Sequence, residues 1–118
     1  MHAPRENELQ AKLLAEAPKH LPDLRLFRRM VGVGNVGGRE VRFGIRGQAD
    51  LYGYWKGGIG VEIELKSASG RLSDDQRRWA SWCEGWGVRC LVLQARADES
   101  AAETVSRWLA ELGSTRPC

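Results

Sequence analysis

Gly58-Ile-Gly-Val-Glu-Ile-Glu-Leu-Lys-Ser-Ala-Ser-Gly70 is the stretch on which the reading of the fold turns. Ile59, Val61, Ile63 and Leu65 alternate with Gly60, Glu62, Glu64 and Lys66, the period-two pattern of a strand with two unlike faces. One face is aliphatic and belongs in a core. The other carries three charges in succession. Two readings fit those charges. They are the wet side of a half-exposed antiparallel strand, which is the commoner arrangement, or they are the carboxylates and ammonium of a metal-dependent site.

The flanks narrow the choice. Upstream, Lys56-Gly57-Gly58 is a short turn that joins the stretch to residues 50–55 as an antiparallel hairpin. Pairing Leu51 with Ile63 and Leu65 puts Asp50, Tyr52 and Tyr54 on the side of Glu64 and Lys66, although alternation alone does not force that choice. Downstream, Ser73-Asp74-Asp75-Gln76 is a capping box that opens a helix. Trp79, Trp82, Cys83 and Trp86 follow at i, i+3, i+4 and i+7, a stripe that reads as core, and Gly85 and Gly87 end it. Residues 88–94 are mostly apolar, as in a strand buried on both faces, which completes a βαβ unit with a right-handed crossover. A second capping box, Ser100 to Glu103, opens a last helix with Val105, Trp108, Leu109 and Leu112 on its face and Gly113 as its stop.

Nearer the start, residues 4–17 form a helix with Pro4 in the first turn, Glu6 and Glu8 at the positive end of the dipole, and Pro18 as terminator. Leu9, Leu13 and Ala17 make its apolar stripe. Glu6 shares that face, either as a favourable first-turn charge or as a carboxylate reaching a site beneath the helix. Residues 24–31 alternate as a strand, with Leu24, Leu26 and Met30 opposite Arg25, Phe27 and Arg29. Residues 32–38, Gly-Val-Gly-Asn-Val-Gly-Gly, read as a flexible loop over or beside the site, since no GxxxxGK[ST] is present and the GxGxxG at Gly32, Gly34 and Gly37 precedes no helix. Residues 41–46 alternate apolar and basic. The expected architecture is one α/β domain over 1–118, a mixed sheet flanked by helices in the order α-β-β-β-α-β-α.

With 42% hydrophobic and 28% charged residues, the composition is that of an ordinary globular protein. No apolar run approaches the roughly 20 residues that span a bilayer, and residues 1–10 are polar, so a cytoplasmic protein without membrane association is expected. Cys83, Cys90 and Cys118 lack CxxC spacing and read as reduced thiols rather than a disulfide frame or zinc site. The net charge of +3 is unevenly placed: Arg25, Arg28, Arg29, Arg39, Arg42 and Arg46 face a single acid, Glu40, across residues 25–46. Guanidinium groups pair phosphate bidentately, so this segment suits a polyanion, with a solvated basic surface as the plain alternative.

Residues two apart on a strand lie about 7 Å apart with parallel side chains. Asp50 and Glu64, on adjacent strands, can therefore share one Mg²⁺, which takes oxygen ligands at about 2.1 Å. The Leu65 carbonyl lies between them, and Lys66 stands where it can orient a water and neutralise a phosphoryl oxygen. Gln76 on its own reads first as the capping-box partner. Glu62 reads as a solvent or sheet-edge residue, and His2 and His20 carry no assignment.

Asp50, then Glu64-Leu65-Lys66 after a hairpin, then a helix with Gln76, resembles the PD-(D/E)XK nuclease superfamily. More narrowly, the chain resembles the VRR-NUC (virus-type replication-repair nuclease) family in Glu6, Arg28, the glycine-rich 32–38, Arg42-Phe43-Gly44, Gly47-Gln48-Ala49-Asp50-Leu51, Ile63-Glu64-Leu65-Lys66, Gly70-Arg71-Leu72-Ser73 and Gln76. The likeness runs from about Glu6 to Leu93. Ala49 stands in place of a proline and Asp74 in place of another, and Arg29-Met30 occupies a place where Asn-like residues are usual.

The resemblance implies a restriction-endonuclease-like core and a Mg²⁺- or Mn²⁺-dependent endonuclease acting on DNA. Asp50 and Glu64, with Leu65, would hold the metal, Glu6 would complete its outer shell, Lys66 would serve the water, and Gln76 would support the site. Arg28, Arg29, Arg42, Arg46 and Arg71 would contact nucleic acid. Isolated members resemble homodimeric enzymes that resolve Holliday junctions in DNA replication, recombination or repair. The alternatives are a non-catalytic DNA-binding module and the nuclease subunit of a restriction-type system.

Overall fold

The computed structural model describes residues 4–30 and 32–117. The expected end of the first strand at Val31, and His2 and Cys118, lie outside them. The chain runs α1 (Glu6–His20), β1 (Leu24–Arg28), β2 (Gly32–Val36), β3 (Arg39–Phe43), β4 (Leu51–Trp55), β5 (Ile59–Lys66), α2 (Asp74–Gly85), β6 (Arg89–Gln94) and α3 (Ala101–Gly113). It is an α/β fold with three helices and a mixed four-stranded sheet in the order β1-β4-β5-β6. β1, β4 and β5 pair antiparallel, and β6 joins β5 in parallel after the α2 crossover.

Register follows from the pattern on β5. Leu51 pairs with Ile63, Gly53 with Val61 and Trp55 with Ile59, so the aliphatic face of β5 meets the matching face of β4. On that side α1 and α3 supply Leu9, Leu13, Val105, Trp108 and Leu112, all essentially inaccessible to solvent. Each such side chain contributes roughly 1.5–3 kcal/mol by leaving water. Gly53 is required here, because a Cβ on it would lie 1.9 Å from the Arg25 carbonyl oxygen of β1. The opposite face, bearing Glu62 and Glu64, lies against α2.

Five expectations change. Five strands, not three, precede α2, because the glycine-rich 32–38 is no loop: residues 32–36 pair with β3 as a separate two-stranded hairpin. Its turn places Gly37 at φ +60° and Gly38 at φ +82°, the two positive values that a tight hairpin turn of matching twist needs. α1 continues through Pro18 to His20, since a proline in the last turn forfeits one amide bond while the Leu21 N–H still closes on Ala17 C=O at 2.7 Å. β6 is an edge strand rather than one buried on both faces: Leu93 is buried but Val92 is 45% exposed. Trp82 and Trp86 are surface residues rather than core: Trp82 stacks on Trp79 with centroids 5.3 Å apart, and Trp86 lies tilted against Trp82 at 5.8 Å, a ladder of three rings. Glu62, expected at the wet edge, is buried.

Both capping boxes form as the sequence indicates. Ser73 accepts from the Gln76 N–H and Ser100 from the Glu103 N–H, with the reciprocal side-chain bonds present. Cys83 and Cys90 are free thiols, and burial pushes Cys90 up to about 12. Among the described residues no helix is long and apolar enough to cross a membrane.

Candidate active site

The site forms where the β4–β5 ladder ends. The last pair is Leu51 with Ile63, so the Leu65 amide two residues beyond has no β4 backbone partner. Asp50 fills that place with its side chain: Oδ2 accepts the Leu65 N–H at 2.9 Å, while the Asp50 C=O accepts the Arg29 N–H at 2.9 Å. N–H and C=O of a strand residue project to the same side, so the Leu65 carbonyl faces the same gap beside Asp50. Asp50 is thereby fixed by its neighbours at both backbone and side chain.

The loop before it is shaped for this. The Ile45 N–H donates to Gln48 Oε1 at 2.8 Å and the Gln48 N–H to Ile45 C=O at 3.1 Å, a closed turn. Gly47 then sits at φ +89° against the first turn of α2, where a Cβ would be 2.3 Å from the Asp75 carbonyl oxygen. Close backbone approach is the physical reason for glycine three residues before Asp50.

Glu64 is 7% exposed. Gln76 Nε2 donates to its Oε1 at 2.9 Å, and Lys66 Nζ stands 3.6 Å from the same oxygen. Burial first, and the Asp50 carboxylate second, push the Glu64 carboxyl up to about 8, with Lys66 pulling the other way. Glu6, exposed at the start of α1, is also raised, by desolvation first and by Asp50 second. Glu6, Asp50, Glu64 and Lys66 thus share one electrostatic neighbourhood. Among the described residues no three His, Cys, Asp or Glu side chains gather tightly enough to cage an ion unaided. Two carboxylates and a free carbonyl are an all-oxygen donor set suited to a hard cation that keeps several waters. Two acids this close, one of them holding its proton to about 8, leave a deficit of positive charge that such a cation would fill.

Behind Glu64 lies a cavity of about 170 Å³ between sheet and α2, walled by Leu72, Trp79, Ala80, Leu91 and Val92. Next to it is a polar cluster that sequence reasoning missed. Arg29 forms a bidentate pair with Glu62, whose Oε1 also accepts the Trp79 Nε1–H at 2.7 Å. The guanidinium lies 4.6 Å from the Tyr52 ring centroid and 5.8 Å from that of Trp79. Side-chain exposure is 15% for Arg29 and 9% for Glu62, so the pair is screened from solvent. Arg29, expected among the nucleic-acid contacts, is therefore committed inside the protein. Parity was the available signal: Arg29 and Phe27 share a face of β1, and pairing Phe27 with Tyr52 and Tyr52 with Glu62 brings them together.

The other expected contacts are exposed. Arg28 ends β1 opposite Leu51, Arg42 lies on β3, Arg46 on the loop to Asp50, and Arg71 beyond Lys66. Gln94 pins the loop that carries Arg71 by donating from Nε2 to the carbonyls of Ser67, Ala68 and Gly70. No known family model matches the sequence, and no curated protein matches it significantly.

Proposed function

We propose that the chain is a Mg²⁺- or Mn²⁺-dependent endodeoxyribonuclease of the VRR-NUC type on a PD-(D/E)XK core, hydrolysing phosphodiester bonds in DNA, branched DNA above all. The observation that carries this reading is the meeting of Asp50, Glu64 and Lys66 on one sheet face at the open end of the β4–β5 ladder. Asp50 and Glu64, with the Leu65 carbonyl, would hold the cation, and Glu6 would bind its outer waters. A divalent cation held there would supply positive charge to a phosphoryl oxygen and lower the pKa of a water towards neutrality. Lys66 orients that water and offsets negative charge gathering on the phosphate. Gln76 fixes the rotamer of Glu64, and the exposed Arg28, Arg42, Arg46 and Arg71 hold neighbouring phosphates.

The test is cleavage of four-way junction, flap and linear duplex substrates with Mg²⁺ or Mn²⁺, with Glu64→Ala and Lys66→Ala as controls. No cutting by the parent protein, or equal cutting by the variants, leaves a DNA-binding module in its place. Cutting that follows base sequence rather than DNA shape points to a restriction-type subunit.

A homodimer belongs to the same reading. Trp82 is 56% and Trp86 75% exposed on one flank of α2, apolar surface of the kind that association covers. Sedimentation that finds only monomer at micromolar concentration, with DNA and metal present, removes the dimer.

A further inference from the structure

The β2–β3 hairpin has no task in the core. It forms a sheet of its own, no strand residue in it is buried, and among the described residues it shares no extensive interface with a helix or the main sheet. An isolated two-stranded ribbon is marginally stable in water. Yet its shape is specified locally. The Gly37-Gly38 turn has the required positive φ values, the Gly38 N–H donates to Asn35 Oδ1 at 3.0 Å, and the Phe43 ring lies so close over Gly34 that a Cβ there would be 2.7 Å from it. A ribbon built this carefully and then left uncovered is one whose partner is another molecule.

Its charge says which kind. Among the described residues, Arg39 and Arg42 on the hairpin and Arg46 at its base make no ion pair or side-chain hydrogen bond. In the α2–α3 half, by contrast, Arg77, Arg78, Arg89, Arg107 and Arg116 are partnered and only Arg96, among the described residues, is not. Register sets the two hairpin arginines on opposite faces: Arg42 pairs with Val33 and Arg39 with Val36, one step apart in parity. Cations on one face suit a ribbon lying flat on a surface. Cations on both faces suit a ribbon standing in a groove with phosphates on either wall, and the major groove of B-form DNA, about 12 Å wide, admits such a ribbon.

We infer that the β2–β3 hairpin is an arm that enters the major groove of duplex DNA beside the cleavage site, with Arg39 and Arg42 pairing phosphates on its two walls. The inference rests on the nuclease reading for its substrate. Both roots of the arm are at the site: the Arg29 N–H bonds to Asp50 C=O, and the return strand leads through Gly47 into Asp50. Duplex held by the arm is therefore delivered to the Asp50–Glu64 pair, and the arm contributes affinity without touching the reacting phosphate.

The experiment measures binding of a labelled 20-base-pair duplex and of a single strand of equal length in chelator, over a salt series, for the parent and for Arg39→Ala/Arg42→Ala. Loss of two phosphate contacts flattens the slope of log affinity against log salt by about 2 and weakens duplex binding roughly tenfold at moderate salt. In cleavage with metal, the same variant raises KM and keeps kcat. An unchanged slope in the variant, or equal parental affinity for duplex and single strand, overturns the arm. Arm-independent cutting sinks this inference alone, arm-dependent binding without cutting sinks the nuclease reading alone, and no DNA binding by the parent sinks both.

Discussion

Gln76 donates from Nε2 to Glu64 Oε1 at 2.9 Å while its Oε1 accepts the Ser73 N–H at 2.9 Å, so one side chain closes the α2 capping box and holds the buried carboxylate. The two duties separate by mutation. Ser73→Ala removes only the cap and should lower stability by about 1 kcal/mol while leaving the cleavage rate near that of the parent. Gln76→Ala should cost a similar stability and also slow cleavage, because Glu64 loses its brace. Chemical denaturation and single-turnover cleavage on both variants check this. Equal rates for the two would mean that the bond to Glu64 has no role in the reaction.

The Arg29–Glu62 pair is a buried bidentate bond that also engages Trp79. Removing one partner leaves a charge in a site of low solvent exposure, at a cost of about 3–5 kcal/mol. Arg29→Met and Glu62→Leu should each destabilise on that scale. The double variant should be distinctly more stable than the two losses added together, since neither charge is then stranded. Urea denaturation of the four proteins forms the double-mutant cycle. Additive losses would show the pair to be solvated and independent.

Much of this was legible in the chain and some was not, for physical reasons. Alternation on β5 sorted its residues by face correctly, and Leu51 opposite Ile63 placed Asp50 beside Glu64. Both capping boxes announced their helices, because a cap is local chemistry. Parity says which face a residue takes but not what covers that face, so Glu62 was misjudged, and so were Trp82 and Trp86, whose helical spacing fits an exposed ladder as well as a core. The glycines of 32–38 hid a strand because strand preference is weak where pairing, rather than side-chain burial, forms the ribbon.

Gly47 tests whether the loop geometry sets the site. Its φ of +89° and the 2.3 Å approach of a Cβ to the Asp75 carbonyl oxygen involve backbone on both sides, so no side chain can swing away. Gly47→Ala should lose about 2 kcal/mol or more and reduce cleavage by displacing Asp50. Gly57 has φ +103° with open space around it, so Gly57→Ala should cost only about 1 kcal/mol and leave cleavage intact. Thermal melts and cleavage rates compare the two, and equal losses would remove the α2 contact as the cause.

Glu64 gives the site a pH signature. Without metal its carboxyl holds a proton up to about 8 in the folded protein, through burial first and Asp50 second, whereas the unfolded chain releases it near 4.5. A raised acid pKa favours folding fully below the unfolded value, and the contribution is lost as pH rises through the folded one. In chelator, stability should therefore decline between about pH 5 and 8, and Glu64→Gln should lack most of that decline. A bound cation reverses the dependence, because it requires the carboxylate and displaces the proton. The rise in Tm on adding Mn²⁺ should thus be small at pH 6, grow towards pH 8.5, and vanish in Asp50→Ala. Melting curves with chelator and with Mn²⁺ across this range decide the point, and a Tm shift that is flat with pH or survives in Asp50→Ala would place the cation elsewhere on the protein.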